Sequence, residues 1–509
     1  MKSSHAILAL LKQINLRQYT PLLLLAILAG AASALANPAP SAKPNILFLF
    51  ADDQMWNTLG SIKGCPVKTP NLDRLAARGA SFSHAYNMGS YSPAVCVASR
   101  TMLNTGASVW RAAAFSRAER AAGDEKAPKD SPKPTTYWSQ YLKQAGYETY
   151  LSGKWHVPGV NPEKLFDHIV HVRDGMPDQT PAGYNRPKSP EDYASGWKPW
   201  ETKRGGYWQG GKHWSEVLGD DGVAFLKQAA TREKPFFMYL AFNAPHDPRQ
   251  SPKKFVDLYP LEKVDVPPNF LPEYPYNEAA GAGRQLRDEK LAPFPRSEYS
   301  VKVNRQEYYA IITHMDEQIG RILEALEATG KADNTYIFFT ADHGLAVGDH
   351  GFIGKQNMYD SSLRVPLLLA GPGSKPGTTA AAPVYLQDVM ATSLDLAGVP
   401  KPGQVEFHSL LPLATGKTDA SADEAVYGAY VGRQRMIRTD RYKMIIYPTA
   451  KVVRLYDMVN DPLEMKDLAA GNDRPVEVMN TLFASLQRLQ NQMADPLDVT
   501  AVYRDFMKM

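Results

Sequence analysis

NILFLFADD, Asn45 to Asp53, runs five large apolar residues through Ala51 into two adjacent carboxylates. A continuous run of this length, rich in aromatic and branched side chains, reads as a strand buried on both faces. The same pattern recurs three times. Glu148-Thr-Tyr-Leu151 leads into Gly153-Lys154-Trp155-His156, Phe236 to Phe242 into Asn243-Ala-Pro-His246, and Thr335 to Phe339 into Ala341-Asp342-His343-Gly344. Helical patterns lie between them. Asn71 to Arg78 stops at Gly79, and Arg305 to Thr329 repeats apolar residues from Ile311 to Leu326 before Gly330. Strands alternating with helices predict an α/β fold, a large, mixed but mostly parallel sheet sandwiched by helices. In such sheets ligands bind beyond the carboxyl ends of the strands, where all four polar clusters fall.

The flanks set the boundaries. Residues 1–36 carry Lys2, Lys12 and Arg17 without an acid, then the apolar run from Pro21 to Gly30, then Ala34-Leu35-Ala36. This is the pattern of a secretory signal peptide. The run is shorter than the roughly 20 residues that span a bilayer, and no cysteine follows the cleavage site to take a lipid. Export to the periplasm or the medium is expected, without a stable membrane anchor. Of 57 Lys+Arg the leader removes three, leaving near balance with 53 Asp+Glu; such a charge predicts no nucleic-acid partner. A main domain is expected over 37–400. After Pro400, short strand-like runs at 425–430, 435–438, 442–447 and 453–456 precede an amphipathic stretch from Val476 to Met493. They predict a small antiparallel sheet with a C-terminal helix over 401–509.

Asp52, Asp53 and Asp342 with His343 place three carboxylates and an imidazole at strand ends. Carboxylates this close repel unless a cation joins them, and hard divalent ions take oxygen ligands. The alternative is a helix cap at Asp52-Asp53 and a turn at Asp342-His343-Gly344. Cys65 and Cys96 are the two cysteines, and counting alone leaves a disulfide between them open.

The segment Cys96-Val-Ala98-Ser-Arg100, followed by Thr105-Gly106, resembles the signature of type I sulfatases in the alkaline-phosphatase-like superfamily, whose cysteine is oxidised to formylglycine. Asp52-Asp53, Gly153-Lys154-Trp155-His156, Pro245-His246, Asp342-His343-Gly344, His350-Gly351, Lys355 and Val365-Pro366 follow in the matching order. The resemblance covers about Pro44 to Leu468. Ala98 stands where proline is commoner, Asn104 where an apolar residue is usual, and Ala107 where arginine is frequent. None of these removes a catalytic group.

The resemblance implies a sulfate-ester hydrolase with formylglycine at 96 as nucleophile and metal ligand. Arg100 fixes it, and His156 is the base that expels sulfate. Lys154, His246 and Lys355 contact the sulfuryl oxygens, with His246 or Lys355 protonating the leaving alcohol. Asp52, Asp53, Asp342 and His343 hold one divalent cation, Ca2+ with Mg2+ or Mn2+ as alternatives. A serine would keep a stable sulfate ester, whereas a hydrated aldehyde has a second hydroxyl on the same carbon whose deprotonation breaks the carbon–oxygen bond. A formylglycine-generating maturation enzyme, acting before folding, is the implied partner. Cys65 then reads as a free buried thiol, because a bond to Cys96 would consume the precursor.

Trp197, Trp200, Trp208 and Trp214 cluster with Tyr184, Tyr193, Tyr207, Arg186, Lys198 and His213. Aromatic faces beside cationic tips suit a sulfated carbohydrate, and simple packing of an insertion is the competing reading. The loop from Asp247 to Arg296, with Arg249, Arg284, Arg287 and Lys290, is a second candidate wall. Arg249, His213 and Trp214 are the substrate-binding candidates. Two other functions stay open on these residues: a phosphonate or phosphate ester hydrolase of the same superfamily, and a non-catalytic carbohydrate-binding descendant.

Overall fold

The computed structural model describes residues 43–121, 135–177, 181–184, 186–192, 196–204 and 206–508. The signal segment, residues 37–42 and Tyr193 lie outside them. An eight-stranded sheet runs Thr378–Ala380, Ala80–Phe82, Leu367–Ala370, Thr335–Ala341, Asn45–Asp52, Phe236–Pro245, Glu148–Lys154, His168–Arg173 from edge to edge. Its middle is parallel: Asn45–Asp52 pairs in parallel with the strands on both sides, and Glu148–Lys154 does the same one place further out. Leu367–Ala370 runs antiparallel to both of its neighbours. The sheet is therefore mixed and mostly parallel, as expected.

Burial on both faces explains why the central strands read as unbroken apolar runs. Phe48, Phe237 and Tyr239 pack their rings around Trp138, from the helix Trp138–Gln144. Leu240, the next residue along its strand, points the other way. It meets Gly222 and Ile322, where a methyl on Gly222 would come within 2.9 Å of both side chains. Those two residues belong to the helices Trp214–Ala230 and Glu298–Ala328.

The long helix begins at Glu298, seven residues before the sequence pattern, capped by Ser297 Oγ accepting from Ser300 N at 3.1 Å. Its first turns hide from apolar periodicity because Ser300, Asn304 and Glu307 are polar yet buried. The helix carrying Cys96 spans Val95–Thr105, and Gly106 closes it in the left-handed region.

The four C-terminal strands, Val426–Tyr430, Gln434–Arg438, Tyr442–Tyr447 and Val452–Asp457, form the antiparallel sheet expected. A fifth strand comes from far upstream: Gly89–Ser90 pairs in parallel with Ala429 and Tyr430. Gly89 is required there, since an added Cβ would lie 1.9 Å from Ala429 O. The C-terminal sheet thus borders the chain six residues before Cys96. Helix Val476–Gln492 follows, then Thr500–Lys508, which local sequence patterns do not announce; Tyr503 stacks on Phe483 at 3.9 Å. The described residues from Pro44 onward form one unit of contacts.

Candidate active site

Three carboxylates and three cations interlock where the strands end. Asp52 closes its strand, and Asp53 turns the chain sharply with φ 67°. Tyr308 fixes that turn, its hydroxyl donating to Asp53 O at 2.7 Å and accepting from Met55 N at 2.8 Å. Asp342, the residue after Thr335–Ala341, accepts from Asp53 N at 3.1 Å. Lys154 Nζ pairs with Asp52, and Lys355 Nζ lies 2.6 Å from Asp53 Oδ1. Arg100 Nε reaches Asp342 Oδ2 at 2.9 Å and its Nη1 donates to Lys154 O at 2.7 Å, with the guanidinium 4.6 Å above the Phe50 ring. All six side chains are at most 2% exposed.

Cys96 sits in the first turn of its helix, one turn before Arg100, so both project to the same side. Its Sγ is 3.2 Å from Asp52 Oδ1, 3.7 Å from Asp53 Oδ1 and 3.1 Å from Lys355 Nζ. Cys96 and Cys65 are both free; Cys65 is half-buried rather than buried, with its Sγ against the Val67 backbone. Burial, then Asp342 and Asp52, push the Cys96 thiol up. Burial raises Asp53 to about 6 against the opposing pull of Lys355, and raises Asp52 together with Asp342. Burial would raise Asp342 too, but Arg100, Lys154 and Lys355 hold it below the usual carboxylate range.

Three imidazoles surround this centre. His246 Nδ1 donates to Asp247 O at 2.9 Å, while Nε2 lies 3.5 Å from Asp53 Oδ2. His156, half-buried and with φ 52°, is lowered to about 2 by burial and then by Lys154 and Arg100, and its Nδ1 has no partner among the described residues. Gly175 lies against its ring, where a Cβ would be 2.5 Å from His156 Cε1. His343 Nδ1 donates to Gly344 O at 3.1 Å, and burial lowers the ring to about 4.

Ligand atoms of Asp52, Asp53, Cys96 and His246 all lie within 4.8 Å of one another. His246 joins this group although the family resemblance gives it another role. Asp342 and His343 fall outside it: Asp342 Oδ1 accepts from Asp53 N and Oδ2 from Arg100 Nε, each oxygen keeping a second lone pair, and His343 Nδ1 donates to Gly344 O. Buried carboxylates with imidazole nearby are a donor set that fits a hard divalent cation.

The model of the sulfatase family matches residues 44–399. The chain belongs to the sulfatase family. It is a sulfuric ester hydrolase with the fold expected of that family. A second match, over residues 348–492, is to the C-terminal region of N-sulphoglucosamine sulphohydrolase. The sulfatase is 30% identical to a choline-sulfatase of Rhizobium meliloti over 86% of this chain and 84% of the relative. It is 26% identical to an N-acetylglucosamine-6-O-sulfatase of Bacteroides thetaiotaomicron over 93% of this chain and 91% of the relative. A structure solved with its substrate D-glucosamine-2-N,6-O-disulfate shares the fold, with a TM-score of 0.65 and 24% identity over 89% of this chain and 99% of the other.

The substrate candidates fare differently. His213 is a helix cap in this sulfatase: Nδ1 accepts from Ser215 N at 3.0 Å and Nε2 faces Gln250 O at 2.7 Å, so neither nitrogen is left for a ligand. Arg249 is fully buried, with Nη1 on Asn304 and on Glu307 at 3.0 Å. Glu307 also binds Arg186 and Trp197 Nε1. Much of the aromatic segment is therefore packing, tied down by one buried glutamate. Trp214 is half-buried under the Arg173 guanidinium at 4.6 Å. Sequence reasoning missed Asp247, which orients His246, and gave Arg287 no place at the centre, though its Nη2 is 3.5 Å from His246 Nε2. The Asp247 signal was its place directly after Pro245-His246; Arg287 sits in a long loop without one.

Proposed function

We propose that this sulfatase is exported and removes sulfate from a carbohydrate, through formylglycine formed from Cys96. One observation carries the reading: the side chain at 96 is enclosed by Asp52, Asp53 and Lys355, one helical turn from Arg100, at the carboxyl end of the sheet. The hydrated aldehyde carries both hydroxyls on Cβ, and Sγ marks the side of Cβ on which one of them would meet these groups. Residue 96 is 3% exposed, so the maturation enzyme meets it before the chain folds. The carbohydrate class draws support from the N-acetylglucosamine-6-O-sulfatase relative and from the neighbour with a glucosamine disulfate. The leader at 1–36 supports export, and among the described residues no helix is long and apolar enough to cross a membrane.

Asp52 and Asp53, with Asp342 and His343 beside them, would hold the divalent cation, Ca2+ first among the choices because the donors are mainly oxygens. The cation would supply charge stabilisation for the transferred group and hold the residue at 96 deprotonated. The hydrated aldehyde supplies one hydroxyl for attack and a second for release of sulfate. Lys154 and Lys355 now rest on the carboxylate oxygens; with a cation there, their ammonium groups are free for the sulfuryl oxygens, and they need no reorganisation when charge develops. Arg100 holds the centre together from below. Burial and the neighbouring Lys154 and Arg100 favour the neutral form of His156, the form that can accept a proton. Of the two candidate acids, geometry supports Lys355: His246 spends its Nδ1 proton on Asp247 O, which leaves a lone pair on Nε2.

Enzyme made in a host with the maturation system should turn over 4-nitrophenyl sulfate faster than a phenyl phosphonate monoester. The reverse preference would move the chain to the phosphonate hydrolases of the superfamily, and saturable sugar binding without turnover of either would make it a binding descendant.

A further inference from the structure

Arg173 ends the edge strand His168–Arg173 in register with Lys154, and its carbonyl accepts from Trp155 N at 3.1 Å. Two residues on, Gly175 lies against His156. The strand end that carries the arginine therefore borders the same crevice, and the guanidinium extends toward Trp214 and Gln209. Arg173 is 7% exposed, and no carboxylate comes within ion-pair distance of it among the described residues; Asp221, the acid whose charge acts on it, is bound to Ser152 at 2.6 Å and His171 at 2.9 Å. The buried arginines at 100, 186, 249, 296 and 435 each pair with an acid. Arg438, the other buried arginine without one, stands in the C-terminal sheet near Asp360. Arg173 instead makes two weak contacts, Nη1 to His171 O at 3.2 Å and Nη2 to Gln209 Oε1 at 3.4 Å, and its Nε has no partner.

Two more donors nearby are in the same state. Trp214 stacks under the guanidinium and Trp208 lies in the adjoining Trp208–Gln209 strand; the indole N–H of each is buried and without a partner among the described residues. Gln209, which touches Arg173, is exposed, so this group of donors borders solvent. Buried donors almost always have acceptors. Three orphaned N–H groups of one polarity, one of them cationic, are a site for an oxyanion that arrives with a ligand. A planar guanidinium suits sulfate or carboxylate oxygens.

We propose that Arg173, with the indole N–H groups of Trp208 and Trp214, binds a second anionic group of the substrate, a sulfate or a carboxylate, next to the ester being cleaved. The substrate class is then a dianionic sugar. This deepens, and rests on, the carbohydrate-sulfatase reading above.

The test compares kcat/KM for 4-nitrophenyl sulfate, a hexose monosulfate, hexose disulfates and a sulfated hexuronic acid, in the parent enzyme and in Arg173→Met and Trp208→Phe. The parent should prefer a dianionic sugar over the monosulfate by about tenfold or more, the worth of one charge-assisted hydrogen bond. Arg173→Met should lose that preference through KM, with a loss on the dianion about tenfold greater than on 4-nitrophenyl sulfate. Trp208→Phe keeps the ring, removes only the N–H, and should shift the ratio the same way by about threefold. Disulfates and the uronic acid separate the two oxyanions. Equal losses on all substrates, or no preference in the parent, would overturn the inference while leaving the sulfatase reading intact. Absence of sulfate release from every substrate would end both.

Discussion

At the scale of residues, the centre is a balance of buried charge. Asp52, Asp53 and Asp342 are each met by one of Lys154, Lys355 and Arg100. Removing one partner of a buried pair costs about 3–5 kcal/mol, because the survivor stays buried and unpaired. Lys355→Met should therefore lower the melting temperature of metal-free protein, and added Ca2+ should return most of it by taking the place of the lost charge. A fall in stability that Ca2+ leaves unchanged would count against the cation site. Activity should drop about 100- to 1,000-fold in the same variant, the usual effect of losing one preorganised donor. Cys96→Ala has a simpler expectation: circular dichroism and melting close to the parent, and no turnover of 4-nitrophenyl sulfate.

At the scale of elements, strand ends and the turns after them position the chemistry. Asp53 and His156 both sit in the left-handed region just beyond their strands, backbone strain that non-glycine residues rarely accept outside functional sites. Gly175 gives this scale its test. Gly175→Ala would put a methyl 2.5 Å from His156 Cε1, so His156 must move. Sulfate release should then slow about tenfold or more with little change in KM, since a displaced base costs rate rather than affinity; unchanged kcat would separate His156 from that step. The strands carrying these residues were legible because unbroken apolar runs admit few other readings. Polar residues that turn inward were not: Glu307 and Asn304 hid two turns of the long helix, and the pairing of Gly89 with Ala429 spans too much sequence for any local pattern to carry. Cationic side chains in aromatic company read as a binding surface, yet Arg249 and Arg186 are interior struts bound to Glu307.

At the scale of the whole molecule, stability and function follow different groups. Asp388, far along the chain from the catalytic set, accepts from His408 N and Tyr385 N at 2.9 Å, and burial followed by Asp423 raises it from 3.8 to about 8. A carboxyl raised in the folded state favours folding below its unfolded value and loses that contribution as pH climbs through the folded one. The parent melting temperature should fall between pH 4 and about 8, and Asp388→Asn should flatten that slope whatever its absolute stability; an unchanged slope would assign it to other acids. The family was legible in the amino-acid sequence because the site motifs keep one order along the chain. Which carboxylate each cation would meet was not legible, because that depends on how four strand ends and one helix converge.

Catalysis at this centre turns on what residue 96 becomes. Mass spectrometry of the tryptic peptide ending at Arg100, taken from fully active enzyme, should give a mass below the cysteine form by one sulfur and two hydrogens less one oxygen, and this species should react with a hydrazide. An unmodified Cys96 in enzyme of full activity would contradict it.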